Sequence, residues 1–240
     1  KVNCKARTRI PTSKGPIWLH VYENSIDQKE HLAIVMNPLI LSKSLNEIKS
    51  TEETDLERII RGALPLQEYL KSHDENPKED DQEKPIVRIH SECFTGETIG
   101  SNRCDCGYQL THSIEYILNL NKSNGLIIYL RQEGRGIGLE KKLKAYNLQD
   151  LGFDTIESNL LLGFDDDLRN YDLGIQILKD FGLKEIKLMT NNPKKILSLQ
   201  AGEDQDGIEV VERIPIVLDQ KDEIGDEVKG YLRTKILKMG

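Results

Sequence analysis

Three of the chain's four cysteines, Cys93, Cys104 and Cys106, fall within fourteen residues. They lie in the run Arg88-Ile-His-Ser-Glu-Cys-Phe-Thr-Gly-Glu and in Arg103-Cys-Asp-Cys-Gly just after it. Thiolates are soft ligands for zinc. A structural zinc site takes four protein ligands, whereas a catalytic one takes three and leaves a position for water or substrate. Three clustered thiols without a nearby fourth therefore predict a metal with an open position, and with it an enzyme. The competing reading is ordinary buried thiols, because a free Cys packs as a small hydrophobe. Arg103, Asp105, Glu92 and Gly107 are poor company for a core, and a disulfide framework belongs to small secreted chains. Metal binding is the expected role. His90 is an alternative ligand, although a lone histidine here reads first as a hydrogen-bonding residue.

Two further segments are shaped for phosphate. The first, Arg131-Gln-Glu-Gly-Arg-Gly-Ile-Gly-Leu, follows the apolar run Leu126-Ile-Ile-Tyr-Leu, which reads as a buried strand. Gly134, Gly136 and Gly138 let backbone N–H groups approach a ligand, and the following helix offers its positive end. The spacing is neither that of a P-loop nor that of a dinucleotide fingerprint. The case for function rests on Arg131, Glu133 and Arg135: guanidinium forks for phosphate and a carboxylate suited to a base edge. The second segment, Thr190-Asn-Asn-Pro-Lys-Lys-Ile, leaves a strand ending at Met189, with Asn as cap and Pro193 near the first helical position. Ligands of α/β sheets gather beyond the carboxyl ends of strands. A hydroxyl, a helix N-terminus and two lysines make an anion site there; a capped surface helix with solvated lysines explains the same residues.

The run Gly163-Phe-Asp-Asp-Asp-Leu-Arg-Asn-Tyr is open between three readings. It is a solvated helix start, an Mg²⁺ site beside a polyphosphate, or a general base paired with a cation. Tyr146 shares a helical face with Leu139 and Leu143, so core packing is its first reading.

These groups need a scaffold, and 240 residues supply one sizeable core or at most two small domains. Arg7-Thr-Arg-Ile-Pro-Thr, Pro16-Ile-Trp-Leu-His-Val-Tyr and His31-Leu-Ala-Ile-Val-Met read as short strands between turn signals. After Ser42 the character changes. Leu56, Ile59, Ile60 and Leu64 form a helical stripe, and the polar run from Ser72 to Lys84 buries too little to order itself. Residues 43–84 are thus expected to form an insertion, partly helical and then charged and solvated. From Pro85 strands and helices alternate: a strand into the cysteine loop, a helix through Leu110 and Ile117, the strand at Leu126, and helices at Leu139–Leu148 and Tyr171–Phe181. Strands at Glu185 and Ile208 follow, then a final helix around Tyr231–Lys238. The expectation is a mixed α/β fold, a single compact domain over 1–240 with a polar insertion.

A net charge of −7 argues against a nucleic-acid surface, which needs clustered positive charge. A small anionic ligand remains compatible if the site brings its own cations. No apolar run approaches the roughly 20 residues that span a bilayer, so no membrane partner is expected. No signal-peptide pattern opens the chain, and the absent initiator Met points to a processed start. Unpaired thiols point to a reducing compartment, the cytoplasm.

Taken together, these segments resemble the GTP cyclohydrolase II family, which opens GTP in the first committed step of riboflavin synthesis; the form looks fungal. The resemblance is carried by the runs at Arg88, Arg103 and Arg131 quoted above, by Lys144-Ala-Tyr-Asn-Leu-Gln-Asp, by Leu162-Gly-Phe and by Thr190-Asn-Asn-Pro-Lys-Lys. It extends from about Ile86 to the C-terminus and more loosely over the N-terminal strands. It implies that Cys93, Cys104 and Cys106 hold one Zn²⁺ per chain, and that a water on the metal attacks C8 of the guanine imidazole ring. The ring opens and that carbon leaves as formate. Arg88, Ile89, His90, Ser91, Glu92 and Gln109 match positions where the family holds GTP, as do Glu133, Gly134, Arg135, Thr155, Thr190 and Lys195.

Asp167 matches the family's proton acceptor, and Tyr146 a tyrosine tied to catalysis. Arg169 matches a residue described as nucleophile towards the α-phosphate, with Mg²⁺ assisting pyrophosphate release. Because a guanidinium stays protonated, electrostatic stabilisation is the physical role to expect of Arg169. A homodimer and a single activity are implied as well, since no second domain for the butanone-phosphate branch fits this length. The chain departs from the family at residues 43–84, at Leu160-Leu-Leu, which replaces a more polar stretch, and at its Lys-Met-Gly end, which looks shortened. Two other readings compete: a homologue with the same GTP site but an outcome linked to pyrimidine catabolism, and a nucleotide-binding regulator with a structural zinc.

Overall fold

A hairpin opens the chain because two β-rich runs flank a tight turn. β1 (Val2–Thr12) pairs antiparallel with β2 (Gly15–Asn24), and β3 (His31–Val35) pairs antiparallel with β2. The computed structural model describes residues 1–74, 83–120, 123–165, 168–201 and 207–217. After three short helices, α1 (Lys43–Asn46), α2 (Asp55–Arg61) and α3 (Leu66–Asp74), the parallel strands begin. These are β4 (Ile86–Ser91), β5 (Gly125–Leu130), β6 (Glu185–Met189) and β7 (Glu209–Ile214). The seven strands form one sheet in the order β1-β2-β3-β5-β4-β6-β7. β3 joins the hairpin to the parallel half by antiparallel pairing with β5.

Alternation along the central strands decides the layers. Val87 and Ile89 of β4, with Leu126, Ile128 and Leu130 of β5, face one core. Ile86 and Ile127 face the other. The first core is covered by α8 (Asp172–Asp180) through Leu173, Ile177 and Leu178, and by α9 (Pro193–Ala201) through Leu199. The second is covered by α5 (Cys106–Leu118) through Ile114, Ile117 and Leu118. Near-continuous apolar strands buried on both faces are what parallel sheets require.

The connections then place the site. β4 runs through α5 to β5 on one side of it, whereas β5 runs through α6 (Leu139–Asp150), α7 (Thr155–Leu161) and α8 to β6 on β4's other side. The strand order reverses about β4, so the loops after β4, β5 and β6 open a crevice at their carboxyl ends.

One apolar stripe does not face where its spacing predicts. In α2, Leu56, Ile59 and Ile60 are 66, 56 and 75% exposed, and the buried residue is Arg58. Arg58 donates to the carbonyls of Asn46 and Leu64 and pairs with Glu53 at 3.0 Å. Arg61 reaches the same carboxylate and the carbonyls of Leu45 and Glu47. A buried cation with satisfied donors has fixed the helix's rotation against its periodicity. Gly62 ends α2 at φ 84°, and a Cβ there would lie 2.0 Å from the Arg7 carbonyl oxygen, so only glycine permits this approach to β1.

α8 begins at Asp172, whose N–H donates to the Asn170 side chain at 2.6 Å. Asp166 and Asp167, residues 75–82 of the polar run and the helix expected at Tyr231–Lys238 all lie outside the described residues.

Candidate active site

β4 ends at Ser91 and the chain turns through Glu92 into Cys93, which precedes the single turn α4 (Phe94–Glu97). Cys104 and Cys106 stand at the start of α5. The three Sγ atoms lie within 4.8 Å of one another, with Cys93 and Cys104 at 3.5 Å. Zinc–sulfur bonds of about 2.3 Å at tetrahedral angles set sulfurs about 3.8 Å apart, so this spacing fits such an ion. Gly96 and Gly107 allow the two turns to close over the sulfurs: a Cβ on Gly96 would lie 2.7 Å from the Cys104 sulfur, and one on Gly107 would lie 2.4 Å from the Gly96 carbonyl oxygen. Among the described residues, no histidine or carboxylate joins these three as a metal cluster.

Charge within the trio is unequal. Hydrogen bonds from Cys104 and Cys106 pull the Cys93 thiol far below its ordinary range, with help from the Lys142 ammonium. Cys106 is pushed well above that range by hydrogen bonding to Cys104 and Cys93 and by burial. One thiolate therefore shares protons with its neighbours, and a divalent cation would displace those protons on binding.

Glu97 holds the cysteine turn in place. Its Oε1 accepts from the Cys93 backbone N–H and the His90 ring, both at 2.8 Å, and its Oε2 accepts from the Tyr129 hydroxyl at 2.7 Å. Burial keeps the His90 pKa below its usual value. The neutral ring donates from Nε2 to Glu97, while Nδ1 faces the Arg88 guanidinium at 3.3 Å. His90 is thus the hydrogen-bonding residue of the first reading. Arg88 also donates to the Gln109 amide oxygen at 2.6 Å, and burial lowers its pKa to about 10, which leaves it cationic at neutral pH.

The glycine-rich loop packs against this turn. Gly134 and Arg135 both take left-handed backbone, at φ 62° and 59°. For Arg135 this costs on the order of 1–2 kcal/mol, a strain that suggests a functional constraint. Glu133, expected at a base edge, is engaged within the protein. Its Oε2 accepts from Phe94 N–H at 2.6 Å, and its Oε1 accepts from Gly134 N–H and the Lys142 ammonium, each at 2.8 Å. The N–H groups of Ile137 and Gly138 are also bonded inside the loop. Side chains therefore matter more here, and backbone N–H groups less, than the glycine pattern suggests.

The third loop, after β6, is stapled by Asn191, which exchanges hydrogen bonds with the Ile216 backbone at 2.6 and 2.9 Å. Asn192 caps α9 by accepting from Lys194 N–H. Lys195 is not a solvated surface lysine: it is 8% exposed, and its ammonium donates to the Ile89 carbonyl at 2.8 Å.

One cavity gathers these groups. Arg88, His90, Ser91, Glu92, Gln109, Glu133, Gly134 and Arg135 line it, with Thr155, Thr190 and Lys195. Cys93, Cys104, Cys106, Tyr146 and Arg169 line it too. Ile89 does not: its side chain packs in the core, and only its carbonyl points towards Lys195. Asp167 lies outside the described residues. Tyr146 is no core residue, for Leu139 and Leu143 are 36 and 46% exposed while α6 buries Lys142 and Ala145 instead. The Tyr146 hydroxyl lies 3.1 Å from Thr95 Oγ1, and the Arg103 guanidinium sits 4.8 Å from its ring centre.

The sequence reading missed Lys142, Thr95, Glu97 and Arg103. Lys142 was detectable, because it lies four residues before Tyr146 and so shares its helical face.

Fold and cavity together define an α/β protein with a thiolate cluster, suited to a metal, at the base of a cation-rimmed crevice. The chain belongs to the GTP cyclohydrolase II family, whose sequence profile matches residues 3–215. It is 47% identical to the GTP cyclohydrolase-2 of Meyerozyma guilliermondii, over all of this chain and 78% of that one. It is 43% identical to GTP cyclohydrolase-2 of Saccharomyces cerevisiae, over all of this chain and 79% of the relative. Against the riboflavin biosynthesis protein RibBA of Bacillus cereus the identity is 42%, and the chain spans 48% of that longer protein.

Proposed function

We propose that this chain hydrolyses GTP. It opens the imidazole ring, releases formate and pyrophosphate, and yields 2,5-diamino-6-(ribosylamino)-4(3H)-pyrimidinone 5′-phosphate for riboflavin synthesis. The observation that carries the reading is the placement of three mutually close sulfurs in the same crevice as Arg88, Arg135, Arg169 and Lys195. Family membership and the fungal relatives support it.

Cys93, Cys104 and Cys106 would hold the zinc. A zinc ion held by three thiolates supplies Lewis acidity and a water ionisable near pH 7. The remaining work falls to the chain. Arg135, Arg169 and Lys195 offer positive charge for the triphosphate, and Mg²⁺ would add further charge there. Buried Arg88 and half-buried Gln109, bonded to each other, form a polar wall for the base. Tyr146 stays protonated, because burial raises its pKa. It can therefore present a hydroxyl, fixed by Thr95, beside the sulfurs. Asp167 is the proton acceptor of this scheme, and Arg169 stabilises charge at the α-phosphate.

Four unpaired cysteines fit a reducing cytoplasm, and among the described residues no helix is long and apolar enough to cross a membrane. A homodimer completes the proposal. The exposed Leu139 and Leu143 of α6, with Leu160 and Leu161 of α7, supply apolar surface of the kind it needs. Equilibrium sedimentation at micromolar protein should give twice the chain mass, and a monomer there rejects the dimer alone. For the activity, zinc-loaded protein is incubated with GTP and Mg²⁺ while ultraviolet absorbance and formate are followed. Formate in step with loss of the purine spectrum is expected; none from fully loaded protein would defeat the reading.

A further inference from the structure

We propose that Lys142 is a positioning residue for the thiolate set, its ammonium holding Cys93 through a charged N–H···S hydrogen bond while its bond to Glu133 locks that contact to the glycine-rich loop. The distances are 3.1 Å to the Cys93 sulfur and 2.8 Å to Glu133 Oε1. The Lys142 and Glu133 side chains are 11 and 10% exposed, so the pair is shielded from water and salt. Lysine is rarely buried unless paired. The Lys142 ammonium also lies 5.7 Å from the centre of the Tyr146 ring. The ammonium donates to two acceptors, the Glu133 carboxylate and the Cys93 sulfur, and this pairing suits a buried cation.

Charge arithmetic gives the contact a purpose, on the reading that a divalent metal sits on the three sulfurs. Three thiolates and a divalent ion carry a net charge of −1, which opposes ionisation of any further ligand at the open position. One ammonium at hydrogen-bond distance offsets that charge locally at the Cys93 sulfur, although the Glu133 carboxylate it also bonds leaves the wider centre at −1. An N–H···S bond also lowers the energy of the sulfur lone pair, so the thiolate donates less charge and the metal remains a stronger Lewis acid. Outer-shell partners of this kind orient and tune metal ligands. The same lysine fixes Glu133, so the cysteine turn after β4 and the loop after β5 are clamped to each other at one point.

The test replaces zinc with Co²⁺ in the full chain and records its absorption. Wild-type protein should show an intense sulfur-to-cobalt charge-transfer band in the near ultraviolet. In Lys142→Met the unbonded sulfur gives up its electron more easily, so the band should move to longer wavelength; Lys142→Arg should return it towards the wild-type position. If Lys142→Met does not load cobalt, Lys142→Gln, which keeps an N–H donor without charge, carries the same measurement with a smaller shift. With zinc, kcat for Lys142→Met should fall by about 10- to 100-fold, while KM for GTP stays within about threefold, as expected when substrate binding is intact. A band that does not move overturns the proposal, whatever the rates do. A wild-type protein with no such band overturns the metal reading itself, so the two failures are distinguishable.

Discussion

At the residue scale, the site is built by polar groups that satisfy one another before any ligand arrives. Glu97 receives three donors and fixes the Cys93 backbone, and Glu133 receives three more and fixes the loop opposite. Cys104 and Cys106, by contrast, stand on a short turn at the start of α5 and retain some exposure. Cys104→Ser should therefore spare the fold while removing a ligand. The expected loss in formate release is on the order of 10³-fold or more, because the Lewis-acid contribution is worth several kcal/mol. Far-ultraviolet circular dichroism of the variant should match the wild type. A spectrum of the unfolded kind would instead favour a structural zinc in a nucleotide-binding regulator.

At the element scale, hydrogen bonding sets the rotation of helices whose apolar periodicity pointed elsewhere. α2 buries Arg58 on the Glu53 carboxylate and two carbonyls and leaves Leu56, Ile59 and Ile60 exposed. Arg58→Ala removes one partner of a buried pair and should cost about 3–5 kcal/mol in urea unfolding. Ile60→Lys alters only an exposed side chain and should stay within about 0.5 kcal/mol. If Ile60→Lys proved the costlier of the two, the helix would be packed the other way round. α6 repeats the pattern, presenting Lys142 and Ala145 inward while Leu139 and Leu143 face out. In both helices one side chain with a charge to satisfy outweighs two or three apolar ones.

At the scale of the whole molecule, the antiparallel hairpin and the parallel half share one sheet and one buried layer, and that layer makes the fold sensitive to acid. His20 of β2 is wholly buried, edge-on to Phe181 at 5.1 Å and near the Arg7 charge. Burial, then Arg7, drive its pKa from 6.5 down to about 3. Because the folded value lies below the unfolded one, the fold holds neutral imidazole. Its stabilisation is whole above pH 6.5 and is lost progressively as pH falls towards 3. The loss is roughly 1.4 kcal/mol per pH unit across that window. His20→Leu should flatten the pH dependence of urea unfolding by about this amount relative to wild type; parallel curves would refute the assignment.

The chemistry was legible in the chain itself. Cysteine spacing predicted thiols close enough to hold a metal, and the structure brings their sulfurs within 4.8 Å; the apolar run Leu126–Leu130 predicted a buried strand, and β5 is one; the Arg131 and Thr190 runs predicted loops beyond strand ends, and both line the same cavity. These signals are local: they depend on residue type and on periods of a few residues, which neighbouring sequence can express. Tertiary structure alone decided that Lys142 would sit on the Cys93 sulfur, that Glu133 would bond inward, that His90 would serve Glu97, and that the stripe of α2 would face outward. Each is a pairing between groups distant along the chain. Its outcome depends on which buried charge finds a partner, and no periodicity records that.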